Sequence, residues 1–257
     1  MVDKEDRWTM FTPSAGYDRA ITIFSPDGRL YQVEYAIETV RRGTIAVGIK
    51  AKDGVVLCVE ERVKKLQDHR LSQKLFQVDD HIGVAAAGYV PDARILVDHA
   101  RVISQNNRLL YDEPIDIETV ARRLGDIAQQ YTQYAGVRPF GVSLIIAGVD
   151  RNGPSVFTMD PSGTYMSYDA IAIGQGSDQV NEFLEQNYNS DLALDEACNL
   201  AVKCMIKASE EKAESRNVKM VVVDVATKKL TRVSEEEVKN YLDKVTESKE
   251  DVDTPES

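Results

Sequence analysis

The chain has 257 residues, 43% hydrophobic and 28% charged, the composition of an ordinary globular protein with enough apolar mass for a sizeable core. Its 31 basic and 42 acidic residues leave a formal charge of −11, which excludes a general nucleic-acid binder, whose footprint would be basic. The charged start MVDKEDRWTMF is no secretory leader, and no apolar run is long enough for a membrane span, so a cytoplasmic protein is expected.

Residues 1–16 show no period and read as a mobile arm, and Ser25-Pro26-Asp27-Gly28 is a strong turn signal. Leu30, Val33, Ile37 and Val40 then mark a short amphipathic helix ending near Gly43. Its apolar stripe needs a cover, and a closed ring of copies joined head to tail is the expected one. Stretches 44–50 and 54–60 read as one hairpin, and 74–78 with 81–88 as a second around Asp79-Asp80.

Two long helices follow. Ala93, Leu96, Val97, Ala100 and Ile103 line the first; Ile117, Val120, Ala121, Leu124, Ile127, Ala128 and Tyr131 line the second. Strands are predicted at 141–150, 154–160 and 163–174. A further helix pair carries Val180, Phe183, Leu184 and Tyr188, then Ala197, Leu200, Ala201, Cys204 and Ala208. Strands at 220–225 and 229–233 precede an acidic helix over 234–245, and 246–257 reads as a disordered acidic tail. The order is ββββ-αα-βββ-αα-ββ-α. Strands in hairpins and apolar on both faces predict two antiparallel sheets in a four-layer α-β-β-α sandwich, a single domain over 17–245.

Little of this suggests independent chemistry. Cys58, Cys198 and Cys204 form no CxxC pair and read as small core residues. His69, His81 and His99 make no metal-ligand spacing with them. Ile173–Asp178 (IGQGSD) has two glycines before a helix but lacks the third of a dinucleotide fingerprint, so a tight strand-to-helix turn is the better account. No cofactor is implied.

The segment 17–36, YDRAITIFSPDGRLYQVEYA, closely resembles the N-terminal signature of proteasome α-type subunits, nearest the archaeal kind. The likeness continues through GTIAVGIK, KLFQVDDHI, AAGYVPDAR, QQYTQYAGVRPFGVSLIIAGVD, DPSGTY and AIGQGS. It implies the N-terminal-nucleophile hydrolase-like fold and a noncatalytic subunit of a barrel-shaped protease built from stacked seven-membered rings. The implied partners are further α copies in a heptameric ring, the β subunits, regulatory ATPases ending in a hydrophobic-Tyr-X tail, and unfolded proteins.

Proteolytic β-type subunits attack with an N-terminal threonine whose free amine serves as base. By resemblance Thr44 stands at that nucleophile, Glu60 at the assisting acid and Lys74 at the assisting lysine, so a self-processing peptidase cleaved before Thr44 is the alternative. Chemistry opposes it. An internal Thr44 carries a nonbasic amide nitrogen, and the upstream turn, helix and signature are not disposable.

The resemblance also assigns three regions. Tyr17, Asp18, Pro26 and Tyr35 match a gate at the ring entrance. Gly136, Val137, Arg138, Pro139, Phe140 and Gly141 match a loop lining the pore. Lys74 matches a lysine that binds an activator's terminal carboxylate, with Gly43 and Gly88 where backbone comes close. The segment between Val63 and Lys74 is one residue shorter than the family pattern, and Ile37 stands where a basic residue is expected.

Overall fold

The computed structural model describes residues 23–64, 66–68, 72–209 and 214–250. Helix α1 (Tyr31–Arg41) precedes strands β1 (Ala46–Ala51), β2 (Gly54–Glu60), β3 (Leu75–Asp79) and β4 (Ile82–Gly88). Helices α2 (Val90–Tyr111) and α3 (Ile117–Tyr131) lead to β5 (Val142–Asp150), β6 (Gly153–Met159), β7 (Tyr165–Tyr168) and β8 (Ala170–Ile173). Then come α4 (Ser177–Asn187), α5 (Leu194–Ala208), β9 (Val218–Asp224), β10 (Leu230–Arg232) and α6 (Glu235–Glu250).

The ten strands make two five-stranded antiparallel sheets, ordered β10-β9-β2-β1-β8 and β3-β4-β5-β6-β7. Strand alternation explains why the sequence is apolar on both faces. On β2, Val55, Leu57 and Val59 join Ile145, Ala147 and Val223 between the sheets. Val56 and Cys58 turn the other way, towards Ala201, Cys204 and Met205 of α5. The opposite sheet is covered by α2 and α3 through Leu96, Val97, Val120 and Leu124. The predicted four-layer sandwich is observed.

Three details differ from expectation. The predicted strand 163–174 is two strands in different sheets: β7 pairs with β6, and β8 pairs with β1. The chain crosses at Asp169, whose carbonyl accepts from Lys50 N at 2.7 Å and whose carboxylate pairs with Lys50 Nζ at 2.5 Å. The stripe on α1 needs no second copy to cover it, because Val33, Ala36 and Val40 are buried within the chain, where α1 lies across β4 and β5. The last helix runs on to Glu250 rather than ending at Val245, since no glycine or proline interrupts 246–250. The arm at 1–16 and the tail beyond Glu250 lie outside the described residues.

All three cysteines are buried. Burial raises each thiol above its ordinary value, Cys198 and Cys204 to about 12, so they pack as inert apolar groups. No helix among the described residues is long and apolar enough to cross a membrane.

Candidate functional site

The segment leading into β1, the end of β2 and the residue before β3 bring Thr44, Glu60 and Lys74 together, 30 positions apart in sequence at the extremes. Lys74 is only 5% exposed. Its Nζ donates to Thr44 O and Thr44 Oγ1, both at 2.7 Å, to Glu60 O at 3.0 Å and to Ile45 O at 3.1 Å. The Thr44 hydroxyl in turn donates to Glu60 O at 2.7 Å. Burial pushes the Lys74 ammonium down from 10.5 to about 7, against the opposing pull of the Glu61 and Glu60 carboxylates.

This arrangement holds a threonine beside a lysine without the free α-amine of an N-terminal nucleophile. The hydroxyl proton is given to a backbone carbonyl, which is no base, and the Thr44 nitrogen is an amide. The Glu60 carboxylate forms no hydrogen bond to Thr44 or Lys74; its Oε1 accepts from Ser209 Oγ at 3.1 Å. Cleavage before Thr44 would also strip α1 from the core it covers.

Gly43 and Gly88 meet beside this cluster. A Cβ on Gly43 would lie 2.3 Å from Gly88 N, and one on Gly88 would lie 2.4 Å from Gly141 O. Gly88 also has φ +113, a backbone open only to glycine without strain. The predicted trio of Lys74, Gly43 and Gly88 is therefore one place in the fold. Lys74 itself is not a surface lysine but an internal brace.

Sequence reasoning missed the residue that sets this brace. Glu61, 9% exposed, accepts through Oε1 from Ser72 Oγ and from the backbone N–H of Gln73 and Lys74, both at 2.9 Å. One buried carboxylate thus fixes the turn that delivers Lys74. A second acid directly after Glu60 was the only signal.

The loop 136–141 is half interior. Pro139, Phe140 and Gly141 are buried, and Phe140, at 4% exposure, packs its ring 4.4 Å from that of Tyr131. These three cannot line an opening within this protomer; Gly136 and Arg138 are exposed and Val137 is half-buried. Arg138 forms a bidentate pair with buried Asp92 at 2.6 and 2.9 Å, and Gly141 N donates to Asp92 at 2.9 Å. That pairing clamps the loop to the start of α2.

Of the expected gate, Pro26 and Tyr35 are at the surface, Tyr35 being 50% exposed. Pro26 sits in a turn closed by Gly28 N donating to Ser25 O at 2.8 Å. Tyr17 and Asp18 lie outside the described residues. Gln175 N in the IGQGSD segment donates to Gly43 O at 2.7 Å. Gly174 packs on the carbonyls of Gly43 and Thr44, so this turn serves the chain's own backbone.

Comparison with known families agrees with this geometry. The family model for the proteasome subunit matches residues 40–223. The chain belongs to the proteasome subunit family. The N-terminal signature of A-type proteasome subunits matches residues 17–38 and places it on the α side of the family. The proteasome alpha subunit of Methanosarcina acetivorans is 50% identical over 236 residues, covering 91% of this chain and 96% of that protein. That of Methanocaldococcus jannaschii is 50% identical over 234 residues, 91% and 89% of the two chains. Its Archaeoglobus fulgidus counterpart is 48% identical over 239 residues, 93% and 97%. The α-type assignment disfavours the self-processing β-type alternative, and the two sheets with flanking helices are the sandwich of the proteasome fold.

Proposed function

We propose that this α-type chain is a noncatalytic, cytoplasmic ring component of a 20S core particle. Seven copies enclose the gated entrance for unfolded proteins, stack on a ring of threonine-dependent β subunits and dock a regulatory ATPase. The observation that carries the reading is the Thr44 hydroxyl held between the Lys74 ammonium and the Glu60 carbonyl. A protomer so arranged has no nucleophile of its own, and what it offers the particle is surface: the turn at Pro26, Tyr35 and the exposed part of the 136–141 loop.

Docking centres on the Gly43–Gly88 contact. The Lys74 Nζ has three N–H bonds and four oxygens around it, so an arriving tail carboxylate takes the place of one of them. The glycines keep the surrounding backbone low enough for the tail to approach.

The test uses particles reconstituted from this chain and its β partner. Alone, the chain should show no peptidase activity, and intact mass should retain residues ahead of Thr44. Lys74→Ala should abolish ATPase-stimulated protein degradation in particles whose basal peptide hydrolysis and ring assembly are preserved. Lys74→Arg keeps the charge but changes its shape, and partial stimulation is expected. Normal stimulation of Lys74→Ala particles by the ATPase and by a peptide of its C-terminal tail would remove Lys74 from the docking reading. A mature N-terminus at Thr44 would sink the noncatalytic one.

A further inference from the structure

Strands β4 and β5 run from the Gly88–Gly141 end to the far end of the sandwich, about 20 Å away. There the β3–β4, β5–β6 and β9–β10 turns meet the α2–α3 loop around a cavity of about 360 Å³, within the size range of small-molecule sites.

Most acids near this cavity are engaged, although Asp80, in its lining, lies only 4.0 Å from Arg108. Asp150 accepts from Ile117 N at 2.9 Å and from Asn152 N at 2.7 Å. Asp79 is held by Arg108 through two bonds of 3.0 Å. Arg151 pairs with Asp116 at 2.7 Å and lies 3.8 Å from Glu113. The lysines are the exception. Lys228 Nζ reaches only the Asp150 carbonyl, at 3.3 Å, and among the described residues no ion pair forms on Lys228 or Lys229.

Two further observations point the same way. Lys228 is held at φ 50, a left-handed backbone that a lysine adopts at a cost. Pro114 gives the cavity an apolar wall residue.

We propose that this cavity binds a carboxylate carried on a short apolar chain, with Lys228 and Lys229 as its cations and Pro114 against its body. The inference does not depend on ring assembly or ATPase docking. A free small acid and the terminal carboxylate of a peptide share this chemistry.

The experiment is calorimetric titration of the full-length chain, in its assembled state, with hexanoate, hexan-1-ol, hexylammonium and N-acetylleucine. Hexanoate should bind, more weakly as salt is added, and the alcohol and the cation should not. Lys228→Gly should raise the hexanoate Kd roughly tenfold or more by removing a charge-assisted contact. Its ligand-free thermal midpoint should not fall, because glycine suits the left-handed backbone. Lys229→Gln should weaken binding without affecting folding. A preference for N-acetylleucine supports the site with a peptide end as the source; a preference for hexanoate supports it with a free acid. Equal binding of hexan-1-ol, unchanged binding by Lys228→Gly, or no binding of either carboxylate at millimolar concentration overturns the proposal.

Discussion

At the Thr44 end of the sandwich one buried ammonium meets four oxygens of its own chain, whereas at the Asp150 end Lys228 reaches a single carbonyl. Both lysines lie where strand ends converge, yet their surroundings differ in what remains to be satisfied. At the first end the polar groups complete one another and backbone packs on backbone, so Thr44 and Lys74 serve as structural parts. At the second end, among the described residues, Lys228 and Lys229 lack acids while Arg108 and Arg151 are paired, and a cavity stays open. Residue types alone do not distinguish a working site from a closed one; the inventory of donors and acceptors does.

The comparison is broken most severely by disturbing the packed end. In Gly88→Ala a methyl would sit 2.4 Å from Gly141 O on a backbone at φ +113, combining overpacking with strain for a loss of about 3 kcal/mol or more. Gly153→Ala is the control from the open end. Its φ is +102 but nothing lies within 4 Å of the added methyl, so strain alone applies, about 1 kcal/mol. Thermal unfolding should separate the two, at about 2–4 °C per kcal/mol for a chain of this size. Equal shifts would mean that the close approach at Gly88 carries no weight.

A pH-dependent effect concerns the Lys74 proton. Burial lowers its pKa in the fold from 10.5 to about 7, so between those values the unfolded chain binds the extra proton. Stability contributed by this group therefore rises with pH across that window, by at most about 1.4 kcal/mol per pH unit, and is flat below it. Lys74→Met should remove that slope. Denaturant unfolding of both proteins from pH 6 to 9.5 measures it, and parallel curves would show that Lys74 keeps its proton in the fold.

How far the sequence foretold these two ends depends on the range of the contacts involved. Unbroken apolar runs in 54–60 and 141–150 announced strands buried on both faces, and the segment 17–36 carried the α-type signature. The sheet switch at Asp169 was hidden because Tyr168-Asp169-Ala170 continues the strand pattern; only pairing with β1 reveals it. The inward turn of Lys74 was equally hidden, since its acceptors come from positions 44, 45 and 60. Phe140 carried a readable sign in its apolar ring, which burial against Tyr131 satisfies better than a pore would. The open cavity draws on four separate turns and loops, none with a motif of its own.

The smallest expected effect is the most discriminating about chemistry. Thr44→Val replaces the hydroxyl with a methyl of similar shape, removing one donor and one acceptor from the closed end. Neither neighbour is orphaned by the change. Glu60 O keeps Lys74 Nζ at 3.0 Å, and Lys74 keeps three carbonyls at 2.7, 3.0 and 3.1 Å. The cost should therefore be that of ordinary hydrogen bonding, about 1 kcal/mol, and Thr44→Ser should recover most of it. Proteolysis by reconstituted particles should be unchanged in both variants, because the hydroxyl donates to the Glu60 carbonyl and the Thr44 nitrogen is an amide, not a free amine. A nucleophile would respond in the opposite sense: Thr44→Val would leave stability almost intact and remove any activity that depends on this chain. Measuring unfolding and peptide hydrolysis on the same preparations separates the two roles, and loss of hydrolysis with an intact ring would return Thr44 to the catalytic reading.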